Sequence, residues 1–188
     1  IDHALALGAD IIVHTDADGQ YQAREIPKLL EKIEEGNDLV LGSRFLGKIE
    51  KMSLLKRVGN KAFSHVISRI VRTKLTDAQT GFRAFTRKVA EDLPIISGHT
   101  YTQEQIIRAV RTKFKVAEVP VFFAKRDGDG KSRLIKSPFG YALRAWTNIL
   151  RILRDYEPLK FFGAIGVLFF TAGFALGMWL LYLFLTTG

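Results

Sequence analysis

Residues 9–21 read ADIIVHTDADGQY, and this stretch decides the fold. Its apolar run predicts a buried strand, which ends in two aspartates, Asp16 and Asp18, separated by one alanine. Residues two apart in an extended chain project to the same side, so both carboxylates can bind one hard cation, Mg²⁺ or Mn²⁺. Gln20 lies two residues further on and offers a neutral oxygen ligand. The alternative is a solvated turn, because Asp and Gly are common turn residues.

Strand and helix patterns alternate after this stretch. Residues 24–37 place apolar side chains on one helical face, with Gly36 as the predicted stop, and residues 38–45 read as a second buried strand. Strand, helix and strand in this order predict a right-handed parallel crossover. Further patterns predict helices over residues 55–75, 87–93 and 102–113, and strands within residues 76–87 and 115–125. The predicted fold is α/β, with a Rossmann-like, mostly parallel sheet and flanking helices.

The end of the chain has the composition of a membrane protein. Residues 161–185 carry no charged side chain, and as an α-helix they would measure about 38 Å against a hydrocarbon core of about 30 Å. They predict a transmembrane helix, and their place after a long polar region excludes a cleaved secretory signal. Residues 136–158 predict an amphipathic helix on the bilayer surface, with packing on the sheet as the alternative.

The polar region is strongly basic. Lys and Arg number 28 against 19 Asp and Glu, a net charge of +9. Nucleic acid and an anionic membrane are both candidate partners, but the basic cluster at residues 125–160 runs directly into the apolar segment, which favours the membrane. The positive-inside rule then places the polar domain on the cytoplasmic side. Cysteine is absent, which excludes thiol catalysis and thiolate metal sites, and His14 is predicted as a strand residue, not a metal ligand.

Five motifs occur in order before the apolar segment: DADGQY, VLGSRF, TDAQTGFRAF, YTQEQ and GKSRL. The ordered set resembles the inverting GT-A glycosyltransferases, and within them the dolichyl (polyprenyl) phosphate sugar synthases, over the region from Ala4 to the start of the span. The resemblance implies transfer of a hexose, mannose or glucose, from a GDP- or UDP-linked sugar to a polyprenyl or dolichyl phosphate. It further implies inversion and a divalent metal, Mg²⁺ or Mn²⁺.

The same resemblance implies roles for individual residues. Asp16, Asp18 and Gln20 bind the metal, while Arg44 contacts phosphate between donor and acceptor; a surface arginine is the alternative. The implied catalytic set is Asp18, Arg44 and Glu104, although a glutamate in a first helical turn is also ordinary capping chemistry.

Implied substrate-binding residues fall into four groups. The lipid phosphate is received by Lys56, Arg57 and Asn60, for which a solvated helix start is the alternative. The sugar pocket is shaped by Asp77, Gln79, Thr80, Gly81 and Arg83, with Gly81 admitting close backbone approach and Asp77 accepting sugar hydroxyl hydrogens. Gln103 accompanies Glu104 on the acceptor side. A loop over the nucleotide diphosphate carries Arg126, Lys131, Ser132 and Arg133.

The expected organisation has three parts: a partial GT-A domain over residues 1–135, the interfacial helix over 136–158 and the transmembrane helix over 159–186. Residues 1–10 read as the last turns of a helix. The resemblance implies that the half that holds the nucleotide base precedes Ile1, so we expect this piece alone to be inactive. Two rival functions are a polysaccharide synthase with a sugar acceptor and a membrane-anchored basic adaptor. Processive synthases typically carry Gln-x-x-Arg-Trp, which this sequence lacks. The sequence leaves oligomeric state open.

Overall fold

The structure, a computed structural model, describes residues 1–93, 101–125 and 138–187 of the 188. The chain divides into two compact units, Ile1–Ala145 and Trp146–Gly188. Four strands run through the first unit: β1 (Ile11–His14), β2 (Leu39–Ser43), β3 (Arg83–Thr86) and β4 (Val116–Pro120). The helices are α1 (Asp2–Ala6), α2 (Ile26–Glu34), α3 (Leu54–Val71), α4 (Arg87–Asp92), α5 (Tyr101–Arg111), α6 (Pro138–Tyr156) and α7 (Pro158–Thr187), with a 3₁₀ turn at Ala23–Glu25.

The four strands form one mixed sheet in the order β1-β3-β2-β4. β3 runs antiparallel to both β1 and β2, whereas β4 pairs parallel with β2. Three of the four described strands point in the same direction, but two of the three strand pairs are antiparallel. The predicted α/β fold with flanking helices is confirmed, and its described sheet is mixed rather than mostly parallel. The sequence did not predict the reversed β3. Its reversal brings the beginning of β3 to the edge where β1, β2 and β4 end.

β1 differs from the prediction in its burial. It was expected to be a buried strand, but Ile11 is 36% exposed and the next three residues are only partly buried. The physical reason is its position, because within the described sheet β1 lies at the edge and pairs with β3 alone. β2 fits the expectation, since all five of its residues are buried.

β4 is shorter than predicted. The sequence favoured a strand that ends at Lys125, but β4 ends at Pro120. Proline cannot donate a backbone hydrogen bond to a neighbouring strand, which favours an end there. Beyond it the chain remains close to the sheet through single bridges from Phe123 to Tyr21 and Ile49.

The predicted helices are present and pack through the predicted faces. α2 buries Leu29 and Ile33, and the positive φ of 90° at Gly36 ends the helical segment where the sequence indicated. α3 begins at the cap residue Ser53, whose hydroxyl accepts a hydrogen bond from the Lys56 backbone at 3.4 Å. The apolar face of α3 buries Phe63, Ile67, Ile70 and Val71.

Gly47 marks a close approach between the segments that follow β2 and β4. A Cβ atom at Gly47 would lie 2.1 Å from the Val121 carbonyl oxygen and 2.6 Å from its nitrogen. Because backbone cannot yield as a side-chain tip does, we expect Gly47→Ala to lower the free energy of unfolding by about 1–3 kcal/mol. Denaturant unfolding measures this, with Gly163→Ala, where nothing lies within 4 Å, as the control. Equal stability of the two variants would contradict the packing described.

α7 is the predicted apolar helix. It is long and apolar enough to cross a membrane by length and composition, and none of its most apolar window is buried. α6 is helical over most of the segment predicted to be amphipathic, and Leu143 and Trp146 are 54% and 57% exposed, whereas Ile152 is buried.

Candidate active site at the carboxyl edge of the sheet

Asp16 lies at the edge where β1 ends and β3 begins. His14 Nδ1 is 2.8 Å from the Gly81 carbonyl oxygen, which ties the two strands together there. A Cβ atom at Gly81 would lie 2.6 Å from Asp16 Oδ2, so the carboxylate occupies the space that the missing side chain leaves. A close approach at Gly81 was predicted, but the group that makes it in this structure is Asp16.

Asp18 and Gln20 form a turn that is hydrogen-bonded to the segment after β4. Asp18 Oδ1 accepts a hydrogen bond from the Gln20 backbone at 3.2 Å, and Gly19 has a φ of 74°. The Gln20 side-chain amide donates to the Ala124 carbonyl at 3.2 Å, while the Ala124 backbone donates to the Gln20 carbonyl at 2.9 Å. The turn geometry predicted as the alternative is therefore present, and it holds Asp18 in a defined position.

The donor set at this turn suits a hard divalent cation. The described residues contain no group of three or more His, Cys, Asp and Glu side chains that would enclose a metal. Two aspartates leave most positions around Mg²⁺ or Mn²⁺ open for water and phosphate oxygens, as Mg²⁺ sites in proteins that bind phosphates usually do. Asp16 is exposed and Asp18 partly buried, so a ligand from solvent can reach both.

Arg44 and Asp77 form a buried ion pair just beyond the end of β2. The guanidinium donates from Nε to Asp77 Oδ2 at 2.6 Å and from Nη2 to Oδ1 at 2.8 Å, and the Arg44 backbone donates to Oδ2 at 3.1 Å. Arg44 is 8% exposed and Asp77 is fully buried. The surface-arginine alternative is therefore wrong. Both oxygens of Asp77 bind Arg44, and its role as an acceptor for sugar hydroxyls stays a prediction.

Glu118 on β4 holds the loop that carries Asp77. Its carboxylate accepts hydrogen bonds from the backbone of Thr76 at 2.8 Å and of Asp77 at 2.9 Å, and from the Thr76 hydroxyl at 2.9 Å. The Thr76 hydroxyl also lies 2.6 Å from the Ser43 hydroxyl at the end of β2. Burial raises the pKa of Glu118 from its ordinary value. Sequence reasoning missed this residue because nothing local distinguishes it from a solvent-facing glutamate in a strand.

Arg83 is the first residue of β3 and directly follows the predicted sugar-pocket loop. It is fully buried and donates to the Thr102 carbonyl at 3.1 Å, to Gln105 Oε1 at 2.9 Å and to the Thr80 carbonyl. Burial lowers the pKa of Arg83 to about 10. The side chain joins α5 to the loop before β3, and a role in shaping the sugar pocket stays a prediction.

Thr80 and Gln79 are the remaining predicted residues of the TDAQTGFR loop. Thr80 is buried, and its hydroxyl is 3.2 Å from the hydroxyl of Tyr21, whereas Gln79 is half-buried.

Gln103 and Glu104 lie in the first turn of α5 and are 6% and 8% exposed. Glu104 Oε1 accepts from Arg108 Nη1 at 3.2 Å, one turn along the same helix. Their role on the acceptor side stays a prediction.

Lys56, Arg57 and Asn60 lie in the first two turns of α3. Lys56 is half-buried and Arg57 is exposed, while Asn60 is 8% exposed and its carbonyl accepts from the Ser64 hydroxyl at 2.8 Å. Binding of the lipid phosphate stays a prediction for all three. The predicted loop residues Arg126, Lys131, Ser132 and Arg133 lie outside the described residues.

Two tyrosines at this edge were not predicted as site residues. Tyr21 stacks on Phe82 with ring centroids 5.1 Å apart, and Tyr101 meets the edge of the His14 ring at 5.6 Å. Burial, followed by the nearby charge of Asp16, raises the pKa of Tyr101. The signal available in the sequence was the final tyrosine of DADGQY, which directly follows the acidic pair.

Tyr21 gives the site a measurable alkaline titration. Burial raises the pKa of Tyr21 from 10.0 to about 12. The unfolded phenol therefore ionises first, so the stability from Tyr21 is fully present below pH 10 and is lost as the pH rises through about 12. Over this pH range we expect the free energy of unfolding to fall by about 2–3 kcal/mol more in the wild-type protein than in Tyr21→Phe. The difference in tyrosinate absorbance between wild type and variant should titrate near pH 12; a midpoint at pH 10 would contradict the burial.

Comparison with known proteins agrees with this architecture. Residues 4–94 match the sequence model of the family described as Glycosyl transferase family 2. A dolichyl-phosphate hexose transferase of Haloferax volcanii is 33% identical over 127 residues, which cover 68% of this chain and 56% of the relative. A polyprenol monophosphomannose synthase of Mycolicibacterium smegmatis is 28% identical over 132 residues, covering 67% and 50%. The crystal structure of glucosyl-3-phosphoglycerate synthase from Mycobacterium tuberculosis superposes with a TM-score of 0.58 at 14% identity, covering 79% of this chain and 50% of that one.

The fold and these matches define a glycosyltransferase domain of the GT-A class, and the chain belongs to glycosyl transferase family 2. Within that family it is a relative of the polyprenyl-phosphate sugar synthases, as its motifs predicted. The chain spans about half the length of the curated relatives that it matches.

Proposed function

We propose that the chain is part of a membrane-attached glycosyltransferase that moves a hexose from a nucleotide-diphosphate sugar to a polyprenyl or dolichyl phosphate, with inversion at the anomeric carbon. The observation that carries this proposal is the acidic turn of Asp16 and Asp18 at the same sheet edge as the buried Arg44–Asp77 pair. Transfer of a sugar from one phosphate to another requires carboxylates that bind a cation and a guanidinium that binds phosphate.

Asp16 and Asp18 are the proposed ligands of Mg²⁺ or Mn²⁺, with Gln20 as a third. The bound cation would neutralise the charge that develops on the departing nucleotide diphosphate. The protein fixes these side chains before substrate arrives, because Gly81 leaves room for Asp16 and the Gln20 turn is bonded to Ala124.

Arg44 is the proposed phosphate contact between donor and acceptor. Its partner Asp77 holds the guanidinium through two parallel hydrogen bonds, and Glu118 holds the loop of Asp77. A phosphate monoester is largely ionised at neutral pH, so the attacking oxygen needs little help from a general base. Positioning and neutralisation of charge then dominate the rate, and Glu104 acts on the acceptor side as a positioning residue rather than as a strong base.

Membrane attachment is proposed through α7, with the catalytic unit on the cytoplasmic side. Lys160 lies near the start of α7, and every other Lys and Arg of the sequence precedes this helix. Attachment confines the enzyme to the plane of a lipid acceptor, which raises the frequency of productive encounters.

The proposed function is tested by product analysis. Membranes that contain the whole protein are incubated with a panel of GDP- and UDP-linked hexoses, a divalent metal and polyprenyl phosphate. We expect a single glycosylated lipid phosphate, formed only with metal present and carrying the inverted anomeric configuration. Transfer to a soluble or growing saccharide, with the lipid phosphate unchanged, would contradict the proposal.

Gly81→Ala tests whether the position of Asp16 matters for the cation. The added carbon meets Asp16 Oδ2 at 2.6 Å, so the carboxylate must move. We expect Mn²⁺ binding to weaken by about 10–100-fold, the effect of disturbing a group that orients a metal ligand. The matched control is a double-mutant cycle with Asp16→Asn, in which the second substitution should add little. Additive losses would show that Gly81 acts independently of Asp16.

A further inference from the structure

We infer that the beginning of α3 carries a surface that lies against an anionic lipid bilayer, an inference that rests on the proposed membrane attachment. Three large apolar side chains are exposed there, Leu54 at 79%, Leu55 at 41% and Val58 at 65%, and Leu46, in the segment between β2 and α3, is 49% exposed. We call these four residues the Leu54 surface. Neither the acidic turn nor the Arg44–Asp77 pair includes any of them.

These four side chains fall within one stretch of the chain, from Leu46 to Val58. Elsewhere in the described residues before α6, the exposed large apolar side chains are Ile1, Leu7 and Ile11. Single exposed leucines are ordinary, but neighbouring ones that form a patch mark a surface for a partner or a membrane.

The helix geometry prevents this surface from turning inward. Leu54 and Val58 are four residues apart and share one face of α3, whereas Phe63 and Ile67 bury another face in the core. The Ser53 cap fixes the first turn, so Leu54 and Leu55 belong to an ordered helix rather than to a frayed end.

Charge identifies the occupant. Exposed basic residues flank the Leu54 surface, namely Lys48, Lys51, Arg57 and Lys61. The acidic residue among them, Glu50, accepts a hydrogen bond from the Lys125 backbone at 2.8 Å. Apolar side chains bordered by lysine and arginine are typical of a helix in the interface of an anionic membrane, with the apolar groups below the headgroups and the cations among the phosphates.

The chain contains no cysteine, which makes site-specific labelling direct. Leu54→Cys and Val58→Cys are each labelled with NBD, and the full chain is reconstituted in vesicles of phosphatidylcholine and phosphatidylglycerol that include lipids with doxyl groups on their acyl chains. We expect blue-shifted emission and strong quenching at both positions. Glu34→Cys, an exposed position on α2, is the matched control and should remain unquenched.

Phe170→Cys in α7 separates this inference from the proposed attachment. Quenching at Phe170 without quenching at Leu54 and Val58 overturns the bilayer contact and leaves the attachment intact. An unquenched label at Phe170 overturns both. A blue shift at Leu54 and Val58 without quenching by the lipids shows that protein covers the Leu54 surface, and this result also overturns the inference.

The basic residues beside the Leu54 surface are tested by reversing two of their charges. The double variant Lys48→Glu, Lys51→Glu should reduce the quenching at Val58 in vesicles that contain phosphatidylglycerol. The equilibrium constant for contact with the bilayer should fall roughly fivefold for each lysine near the surface. Vesicles of phosphatidylcholine alone should give the same reduced quenching with or without these substitutions. Unchanged quenching in the anionic vesicles would overturn the assignment of an anionic bilayer.

Discussion

Asp77→Asn should destabilise the α/β unit by about 3–5 kcal/mol, because it leaves the Arg44 guanidinium buried without its charged partner. Arg44 and Asp77 are 8% and 0% exposed and share two short hydrogen bonds. The matched control is Glu91→Gln, which breaks the exposed pair of Glu91 with Arg87 and should cost about 1 kcal/mol or less. Denaturant unfolding followed by circular dichroism measures both.

The double variant Arg44→Met with Asp77→Leu separates stability from function. Replacing a buried ion pair by apolar residues of similar size is often neutral, so we expect the double variant to regain most of the stability that Asp77→Asn loses. Sugar transfer should not return with it, since no guanidinium remains for phosphate. Recovered transfer would show that Arg44 has only a structural role, and equal stability of Asp77→Asn and Glu91→Gln would contradict the burial of the pair.

Asp18→Asn should abolish metal-dependent binding of the sugar donor. Asparagine keeps the size and the turn but removes the charge that attracts the cation, and we expect a loss of at least about 100-fold, the upper end of what outer-shell groups cost. Asp16→Asn should behave alike. Donor affinity at fixed Mn²⁺ is measured by calorimetry with the whole protein.

Asp10→Asn is the control for these two variants. Asp10 is exposed and precedes β1, where its backbone carbonyl accepts a hydrogen bond from Arg87 that the substitution preserves. Its donor affinity should equal that of wild type. An Asp18→Asn protein with wild-type affinity would sink the proposal that the acidic turn binds the metal.

The sequence predicted the elements of this fold better than their arrangement. Local periodicity identifies α2 and α3, because each buries one helical face. Nothing local specifies that β3 runs opposite to its neighbours, since direction is decided by where the connections lead. The exposure of β1 depends in the same way on its place at the edge of the described sheet.

In the candidate site, too, local features were predictable from the sequence, whereas contacts between distant segments were not. The sequence correctly placed Asp16 and Asp18 directly after β1, whereas their binding of one shared cation stays a prediction. The engagement of Asp77 by Arg44, the burial of Arg83 and the tether from Glu118 depend on contacts between distant segments, which spacing does not reveal. The motif resemblance assigns this loop to the sugar pocket, which stays a prediction, but it does not reveal the contacts that hold the loop in place.

The most direct test of the central claim is electron–nuclear double resonance of Mn²⁺ bound to the whole protein with a nucleoside diphosphate, using aspartate labelled with ¹³C at the side-chain carboxylate. The account predicts coupling of one Mn²⁺ to ³¹P of the diphosphate and to ¹³C of aspartate, with the ¹³C coupling lost in the Asp16→Asn, Asp18→Asn double variant. Coupling to ³¹P alone in the wild-type protein would contradict it.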